Sequence, residues 1–224
     1  MKPIVARIPR LRFVVILGFL LLILVLSPVL QGETRPAMSR MLGLLGLLVP
    51  ILALVAIDAP GRPRRIAIAL AFLCVLASAD NLAGFSHLPP QIGIAVCVIF
   101  LAYTTARLFA GVVASRNVNA DVIAGALASY MLVGLTWAFA YGLLETVRPG
   151  SIHGLAEGGA ALDFPSLLYF SYITLLTIGY GDITPLSATA RMMTVVEGLL
   201  GMTFTTIILA VLVSAHLRQR DNGV

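Results

Sequence analysis

Thr174-Leu175-Leu176-Thr177-Ile178-Gly179-Tyr180-Gly181-Asp182 is the stretch that decides the fold. Two glycines flank one tyrosine, a threonine precedes them and an aspartate closes the run, with Pro185 soon after. Glycine takes positive φ at little steric cost, so Gly179 and Gly181 mark a backbone that leaves ordinary helix and strand geometry. Upstream, Asp163-Phe164-Pro165 reads as a helix start, with proline near the first helical position. The apolar segment that follows, Pro165 to Leu176, is too short to cross a bilayer, whereas Ser187 to about Leu217, downstream, is long enough. A short helix, an irregular run and a long span together read as a re-entrant segment. Irregular backbone survives at membrane depth only where protein surrounds it or it lines a watery path. A plain glycine turn between two helices would explain the two glycines but not the order Thr-x-x-Thr-x-Gly-Tyr-Gly-Asp.

The composition points the same way. Of 224 residues, 59% are hydrophobic and 11% charged, and the mean hydropathy is +1.01, a balance that excludes a soluble domain. The net charge of +5 comes mainly from arginines at the ends of apolar stretches, so it reports topology and not a nucleic-acid surface. Cys74 and Cys97 lie inside apolar stretches without metal-ligand spacing and read as packing residues. His87, His153 and His216 are too scattered for a metal site, although His153, in the loop before the short helix, could sense external pH. No nucleophile, zinc or phosphate-cradling motif supports an enzyme, a cofactor or a small-molecule substrate.

Six spans fit the hydropathy: Phe13 to Leu30, Met41 to Ile57, Ile66 to about Phe85, Ile92 to Val113, Val122 to about Leu144, and Ser187 to Leu217. The first follows Lys2, Arg7, Arg10 and Arg12 in the manner of a signal peptide. It is long for one, and Val29-Leu30-Gln31 is not a small-residue cleavage site, so it reads as a retained span. Pro89-Pro90 breaks the chain before the fourth span, and Asn119 and Asp121 offer caps for the fifth. A cytoplasmic N-terminus puts Lys2, Arg7, Arg10, Arg12, Arg62, Arg64, Arg65, Arg107, Arg116, Arg218 and Arg220 inside, and only Arg35, Arg40, Arg148 and Arg191 outside. That asymmetry satisfies the positive-inside rule and turns the Gly179–Gly181 run outward.

The run resembles the selectivity filter of the potassium channel family, carried by Thr174, Thr177, Ile178, Gly179, Tyr180, Gly181, Asp182 and Pro185. From about Asp163 to His216 the chain is similar to that family's pore module, and as a whole to a six-span bacterial-type subunit with one pore loop. The resemblance implies an all-α integral membrane protein of six transmembrane helices plus a re-entrant pore helix and filter. It implies a four-helix region over 1–113 and a pore domain over 114–224. The activity implied is passive, potassium-selective conduction, with K+ as the transported ion and not a cofactor. One filter per chain implies a homotetramer in the lipid of the cell membrane, multi-pass, with both termini cytoplasmic.

Residue by residue, the resemblance implies that the backbone carbonyls of Thr177, Ile178, Gly179 and Tyr180 replace the water of K+, with the Thr177 hydroxyl adding an inner ring. Tyr180 would point away from the axis, braced by Tyr169 and Phe170 of the pore helix, with Thr174 supporting from the same helix. Asp182 would form a carboxylate ring that concentrates cations at the outer mouth. Met202, Thr205 and Leu209 match the cavity-lining face of the inner helix. Gly201 matches the gating-hinge glycine, but Gly198 and Gly201 equally fit close helix packing through small residues. Glu197 falls off the cavity face and reads as a buried, hydrogen-bonded side chain, with its protonation state left open, against an alternative near the cavity. Asp80, inside the third span, is either an intramembrane functional acid or an acid reaching the outer interface.

Voltage-gated members of the family carry an arginine every third residue in the fourth span. Here that span holds Arg107 alone, with Arg116 beyond it, so the first four helices read as a bundle that packs on or anchors the pore. Only Arg218 to Val224 follow the last span, so no cytoplasmic ligand-binding domain is expected there. Two other functions stay in view. A poorly selective cation channel would share the fold. A secondary transporter would need paired half-helices in two related repeats, and only one re-entrant segment is present.

Overall fold

The computed structural model describes residues 12–26, 62–83, 89–115, 119–154 and 163–221, and it is helical almost throughout. In chain order its elements are α1 (Arg12–Leu26), α2 (Arg62–Ala83), α3 (Pro90–Val113), α4 (Ala120–Val147), β1 (Ile152–Gly154), α5 (Phe164–Leu175), β2 (Ile183–Pro185) and α6 (Ala188–Asp221). Three helical stretches among the described residues, Pro90–Val113, Ala120–Val147 and Ala188–Val211, are long and apolar enough to cross a membrane. Phe13–Val25 and Phe164–Leu175 are apolar but shorter. The expected second span, 41–57, lies outside the described residues, as do His87, Arg35 and Arg40. Asp80 falls in α2, with the side chains of 78–83 outside the described set.

The helix boundaries follow from local chemistry. Pro90 opens α3 at a first-turn position, where its missing N–H is not needed. Asn119 caps α4, its side chain accepting from the Val122 amide at 2.9 Å. Asp163 caps α5, accepting from the Ser166 amide at 2.9 Å. Each such cap is worth about 1 kcal/mol, and together they fix where α4 and α5 begin. Asp121, the other cap candidate, sits in the first turn of α4 and accepts instead from the Phe13 amide at 3.2 Å, tying the start of α1 to the start of α4.

α4 is the hub, packing against α1, α3, α5 and α6. Small residues on it let neighbours approach closely. A Cβ on Gly125 would sit 3.1 Å from both the Phe13 ring and Val112. One buried apolar cluster draws residues from α1 through α5, including Phe13, Cys74, Phe100, Leu132 and Phe164. Cys74 and Cys97 face each other in it, Sγ to Sγ 2.7 Å, so the two cysteines join α2 to α3. A second cluster gathers Tyr141, Leu167, Phe170, Ile173 and Ala190 where α4, α5 and α6 meet.

The loop that holds His153, before α5, contributes a strand. β1 pairs antiparallel with β2, in the register Ile152↔Pro185, His153↔Thr184, Gly154↔Ile183. The Glu145 carboxylate organises its approach, accepting from the Gly150 amide at 2.9 Å and the Ile152 amide at 2.6 Å. This two-stranded clip ties the end of α4 to the chain just after Asp182. His153 stands exposed on it.

Candidate functional site

α5 ends at Leu175, and the chain turns back on its last carbonyls. The amides of Ile178 and Gly179 both donate to the Ile173 carbonyl, at 2.8 and 3.2 Å, and the Thr177 amide donates to Thr174 at 3.0 Å. The following backbone alternates in hand. φ is +57° at Thr177, +55° at Gly179 and +83° at Gly181, while Ile178 and Tyr180 between them are not positive. A backbone of alternating hand turns successive peptide groups toward one side, unlike a strand, where they alternate. Thr177 is the one described non-glycine residue with positive φ. That conformation costs an L-residue about 1–2 kcal/mol. Residues 177 to 181 are all exposed, Tyr180 at 71%.

The residues around this run are held by α5. Tyr169, exposed, donates to Asp182 Oδ2 at 2.8 Å, fixing the half-buried carboxylate at the end of the run. Phe170 turns the other way, into the buried core, 5.0 Å ring to ring from Tyr141. The two aromatics expected side by side in one brace therefore serve different faces of α5. Adjacent helix positions point about 100° apart, which is the physical reason. Thr174 contributes its carbonyl to the turn.

α6 lies behind. Met202, Thr205 and Leu209 share an exposed face, as their spacing requires. Glu197 is off that face and fully buried. Its Oε2 receives the Tyr141 hydroxyl at 2.6 Å, and its Oε1 lies 2.5 Å from Ser171 Oγ. Gly201 is buried because α6 crosses α5 there: a Cβ would sit 2.6 Å from the Leu175 carbonyl oxygen. That same oxygen accepts the Tyr130 hydroxyl at 2.9 Å. Gly198, by contrast, meets nothing within 4 Å. Of the two readings open for Gly201, close packing has a visible contact.

Ser171, Tyr141, Tyr130, Tyr172 and Gly134 were not legible as site residues. The Tyr172 hydroxyl reaches the Met131 carbonyl at 2.9 Å, and its ring covers Gly134. The available signal was polarity: hydroxyls inside apolar helices need partners. No cluster of three or more His, Cys, Asp or Glu that could hold a metal occurs among the described residues.

Residues 127–217, from α4 to the end of the apolar part of α6, match the model of a protein family described as "Ion channel". Over 96 residues the chain is 35% identical to "Two pore potassium channel c" of Oryza sativa subsp. japonica, covering 43% of this chain and 19% of that protein. Over 61 residues it is 36% identical to "Two-pore potassium channel 4" of Arabidopsis thaliana, covering 27% and 22% respectively. The match thus spans about a fifth of each relative's length. No solved structure matches the chain.

Proposed function

We propose that this chain is the subunit of a potassium-selective channel, in which four copies place the run Thr177–Gly181 around one axis. The observation that carries the reading is the alternating hand of that run, at the end of a capped and well-packed short helix. Carbonyls turned to one side, four to a ring, are what a dehydrated cation needs in place of water. Thr177, Ile178, Gly179 and Tyr180 supply those carbonyls and Asp182 the outer mouth. α5 is then the re-entrant pore helix, α4 the outer helix and α6 the inner helix, with Met202, Thr205 and Leu209 facing the cavity. The similarity to two plant proteins named as potassium channels supports the same assignment, as does the match of residues 127–217 to the ion-channel family model.

In this reading the chain crosses the membrane six times with both termini cytoplasmic. The exposed run and the exposed apolar face of α6 are covered by neighbouring subunits, and Tyr180 packs in that interface. Purified protein in liposomes should pass K+ well ahead of Na+, and native mass spectrometry in mild detergent should find four subunits. Equal K+ and Na+ flux would favour a poorly selective cation channel of the same fold. A conducting monomer or dimer would refute the assembly.

A further inference from the structure

Where α4, α5 and α6 meet, five oxygens form three contacts within one chain. Tyr141 Oη lies 2.6 Å from Glu197 Oε2, Ser171 Oγ lies 2.5 Å from Glu197 Oε1, and Ser171 Oγ lies 2.8 Å from the Gly134 carbonyl. Ser171 and Glu197 are fully buried, as is Tyr141. All three separations are those of O–H···O hydrogen bonds, so each needs a proton between its oxygens. Tyr141 and Ser171 bring one proton each; the Gly134 carbonyl and an ionised carboxylate bring none. Two protons cannot fill three contacts. With Glu197 ionised, one short contact would set lone pair against lone pair. A proton on Oε1 completes the set: Tyr141 donates to Oε2, Glu197 donates to Ser171, and Ser171 donates to Gly134. The hydrogen-bond partners of the carboxyl are neutral hydroxyls, and a buried carboxylate without a charge partner is costly.

We propose that Glu197 is held as a neutral carboxylic acid whose proton completes a three-helix joint, and that this joint positions α5 and, through it, the selectivity run. The path is short. Ser171 is two residues before Ile173, whose carbonyl holds the Ile178 and Gly179 amides. One turn after Glu197 on the same side of α6, Gly201 presses on the Leu175 carbonyl. Glu197 touches no ion in this account; it is a positioning residue. The positioning half rests on the potassium-channel reading, and the protonation half does not.

The test has two arms on the full chain. Infrared spectroscopy of the protein in lipid should contain the carbonyl stretch of a protonated carboxylic acid that disappears in Glu197→Gln and in no other acid-to-amide variant among Glu145 and Asp163. If Glu197→Gln leaves the acid band unchanged, the protonation assignment is wrong, whatever the channel does. In K+ and Na+ flux, Glu197→Gln should keep selectivity, because an amide both accepts from Tyr141 and donates to Ser171. Glu197→Ala should lower the K+/Na+ ratio about tenfold, as expected when a buried hydrogen-bonding group loses its partner. If that variant fails to assemble, Ser171→Ala carries the same readout, with a smaller drop expected. Full selectivity in an assembled Glu197→Ala, or in the Ser171→Ala variant that replaces it, would overturn the positioning role. Failure of the unmodified protein to discriminate K+ from Na+ would sink the channel reading and the positioning role together, leaving the acid band as a separate result.

Discussion

Gly179 and Gly201 lack a side chain for different physical reasons, and substitution separates them. A Cβ on Gly179 meets nothing within 4 Å in the subunit, but its φ is +55°, a region an L-residue enters at a cost of about 1–2 kcal/mol. Alanine there should pull the backbone back toward negative φ, break the alternation of hand and abolish K+ selectivity in liposome flux, while the subunit core stays intact. Gly201 has no such torsion in the described set, yet a Cβ would press on the Leu175 backbone oxygen at 2.6 Å. Backbone cannot swing aside as a side chain can, so Gly201→Ala should destabilise the α5–α6 contact by about 1–3 kcal/mol, read as a lower thermal midpoint of the assembled protein. Selectivity lost only through assembly in Gly179→Ala, with a midpoint shift as large as that of Gly201→Ala, would contradict this division. Thr177 extends the argument: its positive φ without a glycine is strain held at the site, of the kind that persists only where surrounding contacts over-determine it.

Between elements, α5 is fixed by α4 more than its length suggests. Gly134 lies against Tyr172, whose ring carbon would be 2.6 Å from an added Cβ and whose hydroxyl is pinned to the Met131 carbonyl. Gly134→Ala must therefore displace a tethered ring and should cost about 1–3 kcal/mol; pairing it with Tyr172→Phe, which releases the tether, should recover part of the loss in the same melting assay. Equal midpoints for single and double variants would show that the tether does not matter. This contact also marks the limit of what the sequence made legible. The run from Thr174 to Asp182, the Asp163 and Asn119 starts and the Pro89-Pro90 break were readable because glycine, proline and capping side chains act within a few residues of themselves. Glu197 was readable as buried because it fell off the Met202, Thr205, Leu209 face. Its partners were not, since Tyr141 and Ser171 stand 56 and 26 positions away and meet only when three helices pack. The β1–β2 clip was missed for the same reason: three-residue strands carry no periodicity, and their pairing joins residues about thirty apart.

Across the whole chain, α3 touches α6 without supplying it with charge. Phe109 of α3 stacks on Phe204 of α6, centroids 4.4 Å apart, and Phe204 also meets Tyr130 of α4 at 5.8 Å. A movement of α3 thus has an apolar route to α6, and the question is what force could drive it. Arg107 is the single charged residue of α3, and among the described residues its Nε is buried without a hydrogen-bond partner. One elementary charge crossing the full membrane field contributes ~2.3 kcal/mol per 100 mV, so four copies of Arg107 moving all the way would give ~9 kcal/mol, against the tens that a sensor with several charges per subunit supplies. Arg107 lies toward the end of α3, six residues from Val113, and its long side chain can carry the guanidinium to the interface, where it samples only a fraction of the field. Opening should therefore vary shallowly with voltage, governed by α6 and by the run itself. Planar-bilayer recordings over a wide voltage range would check this, with Arg107→Gln leaving the slope nearly unchanged. A steep sigmoidal open-probability curve that Arg107→Gln flattens would instead make α3 a working sensor, with the Phe109–Phe204 contact as its link to the pore.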